Sequence, residues 1–175
     1  MRLTGRNVEA FQNPWELVRL LDIIEEPRTI LEVGAMHGGT LQYWVEIASH
    51  VVVVDDQMRN ADLWEAWADE SATMLDLLHG DSRDPNVIAK AEELGTYEFV
   101  FIDADHSYDA VHADWLNYSP LGHIVALHDI LPRPGYGVSE VWAMIKQGPR
   151  KWVEICHNET LPGNEGPCGI GVVWM

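Results

Sequence analysis

Basic residues, cysteines and long apolar runs are all scarce in this chain, and each scarcity excludes something. Eleven lysines and arginines stand against 28 acids in 175 residues, a formal charge of −17. Such a surface repels phosphate backbones and anionic lipid, so neither a nucleic-acid nor a membrane partner is expected. Two cysteines, Cys156 and Cys168, make neither a disulfide framework nor a zinc pattern. They are read as reduced thiols that could face each other across a terminal hairpin. No stretch approaches the ~20 apolar residues of a membrane span. The opening MRLTGRNVEAFQNP also lacks the apolar core of a signal peptide. A cytoplasmic location is the expectation.

What the chain does hold is an alternation of short apolar runs with helical patterns, the signature of βαβ units and a parallel sheet. At 175 residues it is read as one domain. Helices are expected near 14–24, 38–49, 61–70, 84–94, 107–118 and 138–147. Asn13 is the N-cap of the first, with Pro14 at its first turn. Strands are expected near 29–34, 51–54, 74–78, 97–102 and 123–127. The tail segments 152–156 and 169–174 read as two more, joined by a Gly/Pro-rich loop. The fold class is therefore α/β: a Rossmann-like, doubly wound, mostly parallel sheet of about seven strands, one of them antiparallel.

The most informative stretch is Thr29 to Thr40, TILEVGAMHGGT. A buried strand ends in an acid, Glu32, and a turn of Gly34, Ala35, Gly38 and Gly39 leads through Thr40 into a helix. A dinucleotide fold wants G-x-G-x-x-G against a pyrophosphate. Here an acid stands inside the strand end, which suits a ligand carrying an ammonium and a sulfonium. The pattern resembles the first motif of class I S-adenosylmethionine-dependent methyltransferases. Polar residues also close nearly every other strand: Asp55-Asp56, Asp81-Ser82, Asp103 to Ser107, and His128-Asp129. Parallel strands share one carboxyl end, so all face one edge of the sheet. Asp55 can accept both hydroxyls of a ribose diol, with Asp56 able to exchange roles. Asp81 and Ser82 are placed at the adenine.

The second signal is Phe101-Ile102-Asp103-Ala104-Asp105-His106-Ser107-Tyr108, with Leu127-His128-Asp129 after the next strand. Neighbouring strands lie about 4.8 Å apart, so Asp103 and Asp129 should converge with His128 beside them. Two carboxylates forced together repel, and a divalent cation relieves this. Asp103-Ala104-Asp105-His106-Ser107 followed by a polar pair looks like the small O-methyltransferases grouped with cephalosporin hydroxylase and rhamnosyl O-methyltransferase. It is more distantly similar to the magnesium-dependent, catechol-type enzymes. The resemblance spans about residues 14–174. It implies S-adenosylmethionine as cofactor, Asp103 beside it, and a metal at Asp103, His128 and Asp129. His128 stands where close relatives have an acid, which favours Mn, Fe or Zn over Mg.

The activity expected is methylation of a small-molecule or sugar hydroxyl. The proton acceptor is expected to be His106 first and Asp105 second. The cover over the substrate is either the 131–137 loop or a second subunit of a homo-oligomer. Two other readings stay open: a non-catalytic S-adenosylmethionine-binding module, and a nicotinamide-dependent oxidoreductase. The missing dinucleotide fingerprint argues against the latter.

Overall fold

A computed structural model describes residues 12–157 and 167–175. The strands are β1 (Thr29–Val33), β2 (His50–Asp55), β3 (Met74–His79), β4 (Tyr97–Ile102), β5 (Gly122–His128), β6 (Trp152–Ile155) and β7 (Ile170–Trp174). The helices are α1 (Pro14–Ile24), α2 (Leu41–Ile47), α3 (Ala61–Ser71), α4 (Pro85–Glu93), α5 (Tyr108–Tyr118) and α6 (Val138–Ile145). The strands make one sheet in the order β3-β2-β1-β4-β5-β7-β6. β1 pairs in parallel with β2 and β4, β2 with β3, and β4 with β5, whereas β7 runs antiparallel to both β5 and β6. The expected class holds, down to its single reversed strand. The Gly/Pro-rich connection before β7 lies largely outside the described residues.

The sheet is buried on both faces, which is why its central strands are apolar without alternation. Val51 to Val54 are at most 1% exposed. One face packs Leu17, Leu20, Leu41, Trp44 and Trp64 from α1, α2 and α3 against Ile30, Phe99, Phe101 and Val172. The other packs Trp115, Tyr118 and Trp142 against Val52, Val100, Val125 and Val173. Gly171 makes room for Trp142, because a Cβ there would lie 2.8 Å from the indole. No helix among the described residues is long and apolar enough to cross a membrane.

α1 begins as expected, with the Asn13 side chain accepting from the Trp15 amide at 2.9 Å. α2 is shorter than expected and starts at Leu41 rather than near residue 38. Gly38 has φ +86 and Met36 φ +52, left-handed values that a helix cannot use. The turn therefore occupies the whole of 34–40, and the carboxyl ends of β1, β2, β4 and β5 open onto it.

Candidate active site

A cavity of about 710 Å³ lies over that edge, lined by the glycine turn, the ends of β2 to β5 and the loop after β5. It is within the range of small-molecule sites. Gly34, Ala35, Gly39, Thr40, Asp55, Asp81, Ser82, Asp103, Asp105, His106, His128 and Asp129 all line it. Twelve of the residues expected at the site thus share one wall.

The other two, Glu32 and Gly38, serve from behind it. Glu32 is fully buried in β1 and accepts a short hydrogen bond from the Thr40 hydroxyl, tying the strand to the start of α2. Burial lifts its pKa to about 8, against the opposing effect of Thr40. Gly38 does not face the cavity at all. A Cβ at its position would lie 2.3 Å from Trp64 Nε1 and 3.1 Å from Trp67. The sequence places Gly38 at the cofactor; in the structure its missing Cβ makes room for Trp64 of α3. Gly38→Val is accordingly expected to lower the melting temperature of the ligand-free protein, by strain and overpacking of about 1–3 kcal/mol or more. Calorimetry without ligand reads this directly. An unchanged melting temperature with lost cofactor affinity would return Gly38 to the cavity.

Gly34 is the glycine that a close approach requires. Its φ is +88, and a Cβ there would meet Asp103 O at 2.5 Å and Ala104 Cα at 2.6 Å. Asp55 shapes the same turn. Its Oδ2 accepts from the amides of Ala35 and Met36, both at 3.0 Å. Its Oδ1 accepts from Gln57 at 2.8 Å and Met58 at 2.9 Å. Burial alone would raise its pKa, but these four N–H groups outweigh burial and hold it below the usual carboxylate value. A carboxylate offers about four acceptor positions, and all four are taken. Asp56 beside it is exposed and lines the cavity.

At the expected adenine end, Arg83 grips Asp81 through Nε at 2.9 Å and Nη2 at 2.8 Å, which pulls the Asp81 pKa down to about 2. The Ser82 carbonyl accepts from the Tyr118 hydroxyl at 2.7 Å. Below this loop sits Asp114, fully buried on α5. Burial raises its pKa to about 6, and the neighbouring Ser82 side chain offsets this only in part. An acid with a raised folded pKa costs stability as pH rises from about 4 to about 6, because the unfolded chain releases the proton first. Asp114→Asn is expected to stabilise the protein by about 1–3 kcal/mol at pH 8 and by little at pH 4. Equal melting shifts at both pH values would refute this.

The acceptor end is built by β4 and β5. As expected, Asp103 and Asp129 converge, and His128 Nδ1 lies 3.2 Å from Asp103 Oδ1. His106 stands in the same cluster, with Nε2 at 3.3 Å from Asp103 Oδ1 and 3.1 Å from Asp129 Oδ2. One donor atom from each of the four lies within 4.8 Å of the others. Burial opposes charge on His106, but the two carboxylates override it and raise its pKa to about 10. Asp129 has φ +58, a left-handed conformation that Asp and Asn tolerate best among side-chain-bearing residues. Asp105 Oδ1 accepts from the Ser107 amide at 2.8 Å at the start of α5, so it acts at least as a turn residue.

Three more residues act at this end: Gln12, which had no sequence signal, and Arg133 and Tyr136 of the loop expected as cover. Gln12 Nε2 donates to Asp103 Oδ2 at 2.7 Å. Arg133 Nη1 donates to Asp129 Oδ1 at 2.9 Å. Tyr136 stacks on His106, with centroids 4.5 Å apart. Arg133, Pro134 and Tyr136 line the cavity, so the 131–137 loop forms part of its wall.

A family model described as Rhamnosyl O-methyltransferase/CmcI matches residues 3–126. The chain belongs to this family. It is a class I S-adenosylmethionine-dependent methyltransferase, and its fold is the one such enzymes share. No curated protein matches the sequence. Among solved structures, an O-methyltransferase from Bacillus cereus in complex with SAH is 18% identical, with TM-score 0.70 over 99% of this chain and 84% of that one. TomG, an O-methyltransferase from Streptomyces achromogenes in complex with SAM, is 16% identical, with TM-score 0.67 over 91% and 78%. NodS, an N-methyltransferase from Bradyrhizobium japonicum, reaches TM-score 0.66 at 10% identity over 93% and 88%. The architecture is thus common to O- and N-transfer and does not itself choose the acceptor atom. The family match stops before His128, so the polar pair of this methyltransferase is read from its geometry.

Proposed function

We propose that this methyltransferase transfers the methyl group of S-adenosylmethionine to a hydroxyl of a small molecule or sugar, assisted by a divalent cation. The observation that carries this is the meeting, in one cavity, of the glycine turn with the cluster of Asp103, His128 and Asp129. The cofactor's amino-acid part goes to the turn of Gly34 to Thr40. Its ribose goes to the ends of β2, where Asp56 is free to accept the diol that the saturated Asp55 serves less well. Its adenine goes to Asp81 and Ser82. The acidic surface favours neutral or cationic acceptors over nucleic acids.

The sulfonium is already an activated donor, so the chain must align an in-line attack and make the hydroxyl nucleophilic. Asp103, His128 and Asp129 fit a cation by their donor chemistry, two carboxylate oxygens and an imidazole nitrogen. A cation there supplies Lewis acidity that lowers the pKa of the acceptor hydroxyl. Asp55 fixes the turn that orients the donor. Arg133 and Tyr136 wall the acceptor side. His106 Nε2 lies between the carboxylates of Asp103 and Asp129, at 3.3 and 3.1 Å. Asp105, exposed at the rim, lies on the proton's way to water.

Methyl transfer from labelled S-adenosylmethionine to a panel of catechols, phenols and sugars, with Mn²⁺ present, tests the reading. Turnover on at least one hydroxyl acceptor is expected. Tight S-adenosylhomocysteine binding with no transfer to any acceptor would instead leave a binding module.

A further inference from the structure

We infer that His106 is a metal ligand, not a free base, and completes a two-histidine, two-carboxylate centre suited to Mn²⁺, Fe²⁺, Co²⁺ or Zn²⁺ over Mg²⁺. The inference rests on the proposed cation at Asp103, His128 and Asp129. It adds the fourth ligand and the class of ion.

Four donor atoms converge: Asp103 Oδ1, Asp129 Oδ2, His106 Nε2 and His128 Nδ1. Their measured separations include 3.1, 3.2, 3.3 and 3.8 Å. Ligands at about 2.1 Å from a shared ion in tetrahedral array stand about 3.4 Å apart. These four separations bracket that spacing, and the remaining two lie within 4.8 Å.

The oxygens that turn away are the ones held from outside. Gln12 holds Asp103 Oδ2 and Arg133 holds Asp129 Oδ1, each leaving the other oxygen of its carboxylate to face the imidazoles. Outer partners of this kind orient ligands in metal sites. Tyr136, stacked on His106 at an interplanar angle of 22°, fixes the plane of that ring. A base that must swing toward a substrate proton gains nothing from being pinned between two carboxylates and an aromatic ring. A ligand does.

Two imidazoles decide the ion. Mg²⁺ takes oxygen ligands and gives up water reluctantly, whereas imidazole suits the later divalent metals.

Metal-stripped protein is titrated calorimetrically with Mn²⁺, Co²⁺ and Mg²⁺, and the Mn²⁺ complex is read by pulsed electron paramagnetic resonance for bound nitrogen. The wild type is expected to bind Mn²⁺ and Co²⁺ at least about tenfold more tightly than Mg²⁺. It should show two nitrogen couplings. His106→Phe keeps a ring against Tyr136 but removes the donor. It is expected to lose one coupling and at least about tenfold in Co²⁺ affinity. Its S-adenosylhomocysteine affinity should stay at the wild-type value, and His106→Ala repeats the measurement should the phenyl ring disturb the fold. Two couplings and unchanged Co²⁺ affinity in both variants would overturn the inference and leave the three-ligand site standing. Wild-type protein that binds Mg²⁺ as tightly as Mn²⁺ would overturn the ion class. No divalent binding to the wild type at all would overturn the proposed cation as well.

Discussion

EDTA is expected to abolish methyl transfer while leaving S-adenosylhomocysteine affinity intact, and Asp129→Asn is expected to do the same. On the proposed function, the cofactor is held mainly by the glycine turn and the ends of β2 and β3, with Asp103 the one cluster residue beside it. The acceptor hydroxyl depends on the whole cluster. Asn is the cleanest replacement at 129 for two reasons. It tolerates the left-handed backbone seen there, φ +58. Its side-chain oxygen can still accept from Arg133, whose Nη1 lies 2.9 Å from Asp129 Oδ1. What it removes is charge. The loss should be at least about 10²-fold in kcat, the scale of a lost electrostatic contact to a developing charge. Added Mn²⁺ should restore the EDTA-treated wild type but not the variant. Full activity in EDTA would leave the acids as partners of His106 and His128 and nothing more.

Asp55→Ala is the second large effect. Four backbone amides lose their acceptor at once, two in the turn after β1 and two in the loop after β2. Part-buried donors left without partners cost about 1–3 kcal/mol apiece at the upper end, with water recovering some of it. A net destabilisation of about 2–4 kcal/mol is expected in the ligand-free protein, together with a loss of cofactor affinity. Asp56→Ala should lower affinity alone. Thermal melts of both variants, with and without S-adenosylhomocysteine, separate the two residues. Should Asp55→Ala melt like the wild type and only lose affinity, then Asp55 is the ribose partner and the four hydrogen bonds are incidental.

These two residues also mark how far the sequence could be read. Strand-forming runs such as Val51 to Val54 and the start of α1 at Pro14 are local events. Hydrophobic period and caps placed each within a residue or two of its observed bounds. The convergence of Asp103 with Asp129 followed from one further step, the adjacency of β4 and β5. What stayed hidden depends on distances between segments far apart in the chain. Gln12 reaches Asp103 across 91 positions. Asp55 reads as a ribose acid because its carboxylate gives no sign that two loops will close around it. Nor can the sequence say that Asp129 comes within 3.1 Å of His106 Nε2. Asp114, on which the sequence is silent, is buried by the packing of α5 beneath the Ser82 loop. Gly38 looks like a cofactor glycine until α3 lays Trp64 against it.

The contact of Gly34 with the Asp103 carbonyl and Ala104 bears on how such a protein can diversify. On the proposed function, donor recognition belongs to the loops after β1, β2 and β3, and acceptor recognition to β4, β5 and the 131–137 loop. At Gly34 the two territories meet as bare backbone, with no side chain to be matched across the boundary. On that division, a change at Pro134, which lines the acceptor side of the cavity, would need no matching change on the donor side. One acceptor could then be exchanged for another while the methyl donor is inherited unaltered.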